Sequence, residues 1–296
     1  MLDRAGAAAA TSLKVGYVCT NYNGTSDTLV ALDSLLADGG DHVCAVVVDN
    51  CSRQDERIRL SAALAHERRV HLLLSETNLG YFSGLNAGIS RLREIWPDCS
   101  IMVVGNNDLV FPLGFCAAVQ ASAPKLEQYP VLSPRIQTRD GREQNPHVVH
   151  SVSFLRECLY DLYHSTYLAA VVLRMLSRAA GSRVERGDEA GYARAQFIWQ
   201  GHGSCFIIGP KFLREFGGFW APTFLFGEEF FLSRQLQDKG YQVLYDPSIR
   251  LIHACHASVG SLPGRRHWQY SRAAHQLYRR YYPLREVLRR RRELKL

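Results

Sequence analysis

An apolar run, Ile101 to Val104, stops abruptly at Gly105-Asn106-Asn107-Asp108 and resumes with Leu109-Val110-Phe111-Pro112. Carboxamides and carboxylates are costly to bury without partners. Three of them at the mouth of an apolar strand therefore mark either a ligand site or a solvated turn. Asp108, flanked by two Asn, offers the hard oxygen that Mg2+ or Mn2+ takes beside a phosphate-bearing substrate. A plain surface turn is the alternative. The elements around the stretch decide between the two.

Those elements read as β-α-β-α-β-α-β at short spacing. Leu13 to Cys19 is a first strand, and Thr20-Asn21-Tyr22-Asn23-Gly24 is the polar loop after it. Residues 26–37 place Leu29, Leu32, Leu35 and Leu36 at helical spacing, with Ser26 or Asp27 to cap the helix and Gly39-Gly40 to stop it. His42 to Val48 is a second strand closed by Asp49-Asn50-Cys51-Ser52; a helix-like stretch covers 54–68, and Val70 to Leu74 is a third strand. Asn78 to Gly84 forms a loop, and a helix from about Leu85 to Trp96 leads into the strand that ends at Asp108. Such alternation is the signature of a parallel sheet wrapped by helices, whose successive loops gather on one edge. The loops at 20–24, 49–52, 78–84 and 105–108 then converge, which favours a functional Asp108.

The second half is less regular. Pro112 to Ala121 reads as a helix and Val131 to Ile136 as a strand, followed by a turn at Arg139-Asp140-Gly141. Phe154 to Leu176 reads as one long helix, a packed surface helix or one that lies in an interface. Arg156, Glu157, Asp161 and Arg174 interrupt it too often for a membrane span of roughly 20 apolar residues. Ser182 to Gln196 is polar and reads as a mobile loop. Gln200-Gly201-His202-Gly203-Ser204 then enters a strand, Cys205 to Ile208, and Lys211 to Phe216 forms a short helix ended by Gly217-Gly218. Gly227-Glu228-Glu229 opens a further helix, with Phe230, Phe231, Leu232 and Leu236 at helical spacing. Tyr241 to Tyr245 and Arg250 to His253 read as two strands around an Asp246-Pro247 turn.

A chain of 296 residues with 47% apolar and 21% charged residues can bury a sizeable core and has the balance of a globular enzyme. Met1 to Ser12 reads as a disordered tail, not a signal peptide. The eight cysteines are scattered and form no C-x-x-C, so neither zinc nor a disulfide framework is indicated, and a reducing, cytoplasmic setting fits. The net charge of +7 is concentrated at the end: residues 265–296 carry eleven Lys/Arg against two Glu, which is +9, so the rest sums to −2. His267 to Tyr282 mixes aromatics with Arg, and Arg289 to Arg292 follow. An anionic membrane surface, with peripheral attachment to the inner face of the plasma membrane, is the favoured partner; a merely solvated basic helix is the other reading. Nucleic acid is set aside because no reading module accompanies the tail.

With these segments in order, the chain from about Val15 to Gly260 resembles the family 2 glycosyltransferases of the GT-A fold, in particular the branch that builds bacterial cell-surface polysaccharides, rhamnosyltransferases among them. The resemblance is carried by Thr20-Asn21-Tyr22-Asn23, Asp49-Asn50-Cys51-Ser52, Asn78-Leu79-Gly80-Tyr81 with Asn86, Asn106-Asn107-Asp108, Gly217-Gly218-Phe219, Gly227-Glu228-Glu229, and His253 with Ser258. It implies an α/β fold with a Rossmann-like, mostly parallel sheet flanked by helices. The nucleotide-binding half would span 13–111. The acceptor-binding half, 112–262, would carry a helical insertion at about 151–196, and a basic helical extension would occupy 263–296.

The implied activity is transfer of a sugar, with inversion, from a UDP- or dTDP-linked donor to a hydroxyl of a glycan or lipid-linked acceptor. Thr20, Asn21, Tyr22 and Asn23 would line the nucleoside pocket, Asp49 would accept from the N3–H of uracil or thymine, and Asn78, Gly80 and Asn86 would face ribose and diphosphate. Asn106-Asn107-Asp108 stands where the family has Asp-x-Asp, so one negative charge is missing. Asp108 would ligate Mg2+ or Mn2+, with His253 as a second ligand. Glu229 would be the general base and Glu228 its neighbour or a helix cap. Trp199 and His202 are acceptor-side candidates for stacking or hydrogen bonding. The rivals are a catalytically degenerate sugar-nucleotide-binding protein and a nucleotidyltransferase; the latter needs a basic, Gly-rich loop after the first strand, which this chain lacks.

Overall fold

The computed structural model describes residues 13–179, 191–254 and 264–294. The expected N-terminal tail, most of the polar loop before Gln196, and Ser258 lie outside the described residues.

Four strands, β1 (Val15–Asn21), β2 (Val43–Asp49), β3 (Val70–Leu74) and β4 (Ile101–Asn106), pair in parallel in the order β3-β2-β1-β4. Helices α1 (Thr25–Gly39), α2 (Gln54–Leu64) and α3 (Tyr81–Ile95) make the crossovers. Every residue of β2 is buried, as a strand covered on both faces requires. Val43, Ala45 and Val47 join Leu32 and Leu35 of α1 in one core, while Cys44, Val46 and Val48 join Leu85, Ile89 and Leu92 of α3 in the other. The two-residue period of the strand separates the two cores.

Two helix starts differ from the sequence expectation. The first residue of α1 is Thr25 and its cap position is Gly24, so Ser26 and Asp27 are not caps. The turn is held from outside the helix: Asn21 Oδ1 accepts from Gly24 N at 3.1 Å and from Thr28 Oγ1 at 3.1 Å. Helix α3 begins at Tyr81, earlier than Leu85, because Gly80 at φ 84° turns the chain directly into it. This helix lies tight on the sheet, where a Cβ on Gly88 would come within 2.4 Å of Val18 Cγ1.

Beyond β4 the sheet turns mixed. Strand β8 (Cys205–Ile208) pairs antiparallel with β4, then follow β6 (Val131–Thr138), β9 (Val243–His253) and the short β5 (Leu109–Val110); β7 (Gln196–Ile198) also pairs with β9. The two strands expected between 241 and 253 are one, β9, whose pairing with β6 shifts register between Pro134 and Arg135. Helices α4 (Phe115–Ala121), α5 (Ala123–Gln128), α8 (Pro210–Phe216) and α9 (Glu228–Gln237) flank this half.

The long helix expected from Phe154 is two, α6 (Phe154–Ser165) and α7 (Tyr167–Ala179). Thr166 is extended at φ −142° and its hydroxyl accepts from Ala169 N, so it stops one helix and opens the next. The basic tail forms α10 (Arg265–Tyr281) and α11 (Leu284–Glu293), divided at Pro283. A third core ties these to the body through Trp199, Phe230, Phe231, Tyr282 and Val287. No helix among the described residues is long and apolar enough to cross a membrane.

Candidate active site

The sheet register decides which polar side chains meet. Leu109 pairs with His253 across β5 and β9, and Ala254 N donates to Asp108 O at 2.8 Å. His253, 145 positions after Asp108 in the chain, thereby stands with Nε2 3.1 Å from Asp108 Oδ1. Its Nδ1 lies 2.8 Å from Gln144 Oε1 and its Nε2 lies 3.2 Å from Asn106 Nδ2. An amide oxygen accepts and an amide NH2 donates, so these partners place the ring proton on Nδ1. The one lone pair of Nε2 faces both the Asn106 N–H and Asp108 Oδ1, a buried oxygen that receives no well-formed hydrogen bond. Burial pushes the Asp108 carboxyl up, but the His253 ring and the Asn106 amide more than offset it, and the group ends below its ordinary range. A protonated ring pairs with this carboxylate; a ring deprotonated at Nε2 leaves two lone pairs converging on one point. That donor set, one carboxylate oxygen and one imidazole nitrogen, fits a divalent cation with its other positions open to phosphate oxygens and water.

The turn His202-Gly203-Ser204 connects this pair to the acids of α9. Gly105 lies so close to β8 that a Cβ there would come within 2.1 Å of Ser204 O, and Asn106 N donates to the same carbonyl at 2.8 Å. On the other side, Gly203 N donates to Glu229 Oε1 at 3.1 Å, and Tyr81 OH donates to Gly203 O at 2.8 Å. The His202 ring stands 5.7 Å from that of His253, centroid to centroid. Glu228 opens α9 after Gly227, which adopts φ 83°, and its Oε1 accepts from Phe226 N at 2.8 Å. Burial, and then the charge of Glu229, raise the Glu228 carboxyl to about 7. The Tyr81 phenol is pushed far up by burial first, then by Glu228, Cys205, Glu229 and Asp108. Asp108 and His253 thus lie on one side of the 202–204 turn and the acids that open α9, Glu228 and Glu229, on the other.

Several sequence candidates have other occupations. Asn21 is fully buried: its Nδ2 donates to Asp49 Oδ1 at 2.9 Å, and its Oδ1 accepts from Asn107 Nδ2 at 3.2 Å. Asn107 also donates to Gly24 O and Thr28 Oγ1, so both Asn residues brace the start of α1 instead of lining a pocket. Asp49 is fully buried, accepting from Asn21 and from Ser52 N at 3.1 Å and facing Arg57 Nε at 3.4 Å. In this conformation it has no face to offer a base. Asn86 spans the Phe219 backbone, donating to its carbonyl and accepting from its amide, both at 2.8 Å. Gly80 serves a close approach, but to protein: a Cβ there would lie 2.3 Å from Phe224 O. Asn78 Oδ1 accepts from Gly80 N at 3.0 Å. Trp199 is 3% exposed and packs on Phe230 and Tyr282 with Arg290 over its face, so it cannot stack on a sugar.

Thr20, next to last in β1, pairs opposite Asn106, Tyr22 is 58% exposed, and Asn23 takes φ 56° with its side chain accepting from Arg53 N. Among residues the sequence reading passed over, Asn50 holds the 78–80 loop by accepting from Leu79 N and donating to Gly80 O, each at 2.8 Å. Its place directly after Asp49 was the available signal. Gln144 carried none, since its position depends on a pairing far along the chain, and Tyr81 stood in the Asn78-Leu79-Gly80-Tyr81 stretch with no role assigned to it.

A sheet that runs parallel through β3-β2-β1-β4 and mixed beyond, with an acidic strand end facing an acidic helix start, defines the GT-A class of glycosyltransferase fold. Residues 18–180, more than half of the chain, match the sequence profile of Glycosyl transferase family 2. The chain belongs to that family.

It is 25% identical over 209 residues to the N-acetylglucosaminyl-diphospho-decaprenol L-rhamnosyltransferase of Mycobacterium tuberculosis, covering 68% of this chain and 64% of that protein. It is 39% identical over 99 residues to the succinoglycan biosynthesis protein ExoO of Rhizobium meliloti, covering 33% of this chain and 26% of that one. The chain thus spans less than two thirds of the length of either relative. Among solved structures it is similar to GalNAc-T7 with UDP, GalNAc and Mn2+, at a TM-score of 0.57 and 14% identity over 86% of this chain and 46% of that one. It is likewise similar to S. aureus TarS with UDP-GlcNAc, at 0.53 and 13% identity over 84% of this chain and 60% of that one. These structures share the fold.

Proposed function

We propose that the chain transfers a sugar, with inversion, from a nucleoside-diphosphate sugar to a hydroxyl of a lipid-linked or glycan acceptor during cell-surface polysaccharide synthesis. The observation that carries the reading is the single turn, 202–204, with Asp108 and His253 on one side and Glu228 and Glu229 on the other. The decaprenol-linked substrate in the name of the mycobacterial relative supports a lipid-linked acceptor, and rhamnose among the sugars to be tried first.

Asp108 and His253 would hold Mg2+ or Mn2+, which would supply neutralisation of charge on the departing diphosphate. Glu229 accepts the acceptor's proton as the new glycosidic bond forms and the bond to the diphosphate breaks. Gly203 N–H holds Glu229 Oε1 in place, which leaves Oε2 for the hydroxyl. Glu228, fastened to Phe226 N, keeps the first turn of α9 in position. The exposed ring of Tyr22 offers the nucleoside a stacking face. Residues 13–111 would form the donor side and 112–262 the acceptor side.

Thermal unfolding against UDP, dTDP and GDP, each with Mn2+, Mg2+ or chelator, tests the reading. A ligand at 100 times its Kd that binds only the folded chain adds about 2.7 kcal/mol of stability. A metal-dependent rise with UDP or dTDP, followed by release of that diphosphate from the matching sugar nucleotide, is expected. Unchanged unfolding with every diphosphate would sink it.

A further inference from the structure

Helices α6 and α7 turn an apolar face to solvent. In α6, Leu155, Leu159 and Leu162 are exposed by 70, 41 and 49%; in α7, Leu168, Val172, Met175 and Leu176 are exposed by 72, 45, 57 and 61%. The spacings are i, i+4, i+7 and i, i+4, i+7, i+8, so each set forms one stripe of its helix. With Tyr160 they make up eight of the 22 large apolar side chains exposed among the described residues, gathered into 22 consecutive positions. Apolar surface concentrated in this way marks a contact site.

The hairpin is not a loose segment. Its acids point inward, where Glu157 accepts from Tyr278 OH at 2.7 Å and pairs with Arg279 at 2.9 Å, and Asp161 meets His275 and Arg279, each at 2.6 Å. Trp268 Nε1 donates to Tyr163 O, and His164 Nε2 lies 2.8 Å from Ser271 Oγ. No acidic side chain of α6 or α7 falls in the exposed class, while Arg174 does.

Charge identifies what covers this face. Helices α10 and α11 pack on α6, and they belong to the segment 265–296 whose net charge is +9. Arg265, Arg266, Arg280, Arg285, Arg289 and Arg292 are exposed there. A second copy of the chain would bring two such segments together and repel, whereas an anionic lipid surface attracts them. Helices of 12 and 13 residues are about 20 Å long, too short to cross the roughly 30 Å core of a bilayer, but suited to lying in its interface.

We propose that the α6–α7 hairpin docks on an anionic bilayer, its apolar stripes entering the headgroup layer and the arginines of α10 and α11 binding lipid phosphates around them. The docked face is linked to the active site: Tyr270 of α10 stacks on Phe224 at 4.7 Å, and Phe224 O accepts from Tyr81 N at 3.0 Å. An acceptor hydroxyl carried at the lipid surface is thereby brought to the acids of α9, a consequence that rests on the function proposed above; the docking itself does not.

Flotation of the whole chain with vesicles tests the docking. The chain is expected to float with vesicles of phosphatidylcholine containing about 30% phosphatidylglycerol and to stay down with phosphatidylcholine alone. Leu168→Asp with Leu176→Asp lowers the partition coefficient at least about tenfold. Arg289→Glu with Arg292→Glu lowers it by about fivefold or more per position. Both variants keep the wild-type thermal shift with UDP and Mn2+, which separates loss of docking from loss of fold or of donor binding. Wild-type chain that does not float, or aspartate variants that float as well as wild type, would overturn the proposal. So would a concentration-dependent dimer that Leu168→Asp dissolves while flotation is unchanged.

Discussion

Glu229→Gln is expected to remove catalysis while leaving the fold and the donor site intact. Glutamine keeps an oxygen at the Oε1 position, so Gly203 N–H retains the acceptor it has at 3.1 Å. The side chain is half-buried, and the exchange costs under about 1 kcal/mol of stability because no buried donor loses its partner. What is lost is the proton acceptor. General-base catalysis contributes about 10²–10⁴-fold, which at 1.36 kcal/mol per decade is roughly 2.7–5.4 kcal/mol of barrier. The assay is release of nucleoside diphosphate with acceptor present, run beside donor affinity from thermal shift. The expected result is a fall in kcat of at least about a hundredfold with donor Kd unchanged. Glu228→Gln is the control: it keeps the Phe226 N–H bond and is expected to lower kcat by less than about tenfold. A Glu229→Gln enzyme within about threefold of wild type, beside a Glu228→Gln enzyme reduced a hundredfold or more, would refute the assignment and move the base to Glu228.

Further expectations follow from the same geometry. The Glu228 carboxyl, raised from its ordinary value to about 7, favours the protonated folded state, so its contribution is present below about pH 4.5 and lost as pH rises through 7. Glu228→Gln should therefore stabilise the chain at pH 8 relative to pH 5, by an amount on the order of a few kcal/mol, read as a difference in Tm. His253→Ala removes a donor from the Asp108 pair and should cut the Mn2+-dependent part of the UDP thermal shift by half or more, measured from a metal-free Tm that itself falls because a buried, hydrogen-bonded ring is lost. Asn86→Ala strips the Phe219 amide and carbonyl of their partners and should cost about 2–4 kcal/mol in urea unfolding. Gly88→Ala places a methyl 2.4 Å from Val18 Cγ1, and the overpacking, about 1–3 kcal/mol, should outweigh the gain of about 1 kcal/mol in helix propensity.

The parallel half of the sheet was legible because each of its elements is local. A seven-residue run such as β2, apolar until Asp49, admits little but a strand covered on both faces, and the crossover helices show the matching period. Errors fell where a distant group overrides a local preference. Ser26 and Asp27 look like caps, yet Asn21 and Asn107 hold that turn. Phe154 to Leu176 is helical in pattern throughout, and only the extended backbone at Thr166 folds it into a hairpin. Asn21 and Asn86 were expected at the donor from their places in the motifs, and in the structure their side chains, like that of Asn107, bond to protein groups. A carboxamide serves equally well as a brace for the backbone, and composition does not distinguish the two uses.

The amino-acid sequence by itself determined the alternating α/β architecture, the edge of the sheet where polar loops gather, and the acids Asp108 and Glu229 at a strand end and a helix start; the GT-A class and the roles of those acids came from the family resemblance. The first three follow from short-range patterns: two-residue and helical periods, glycine stops, and acids at strand and helix ends. Only the tertiary structure decided how His253, expected from the resemblance to join Asp108, reaches it, that the 202–204 turn joins this pair to Glu229, and that Trp199 is closed off. Each of these depends on the antiparallel register of β4 with β8 and of β5 with β9, or on the packing of the C-terminal helices. Such contacts span from about a hundred to 150 residues of chain, and their geometry comes from the sum of many weak packing terms, which no local window of sequence contains.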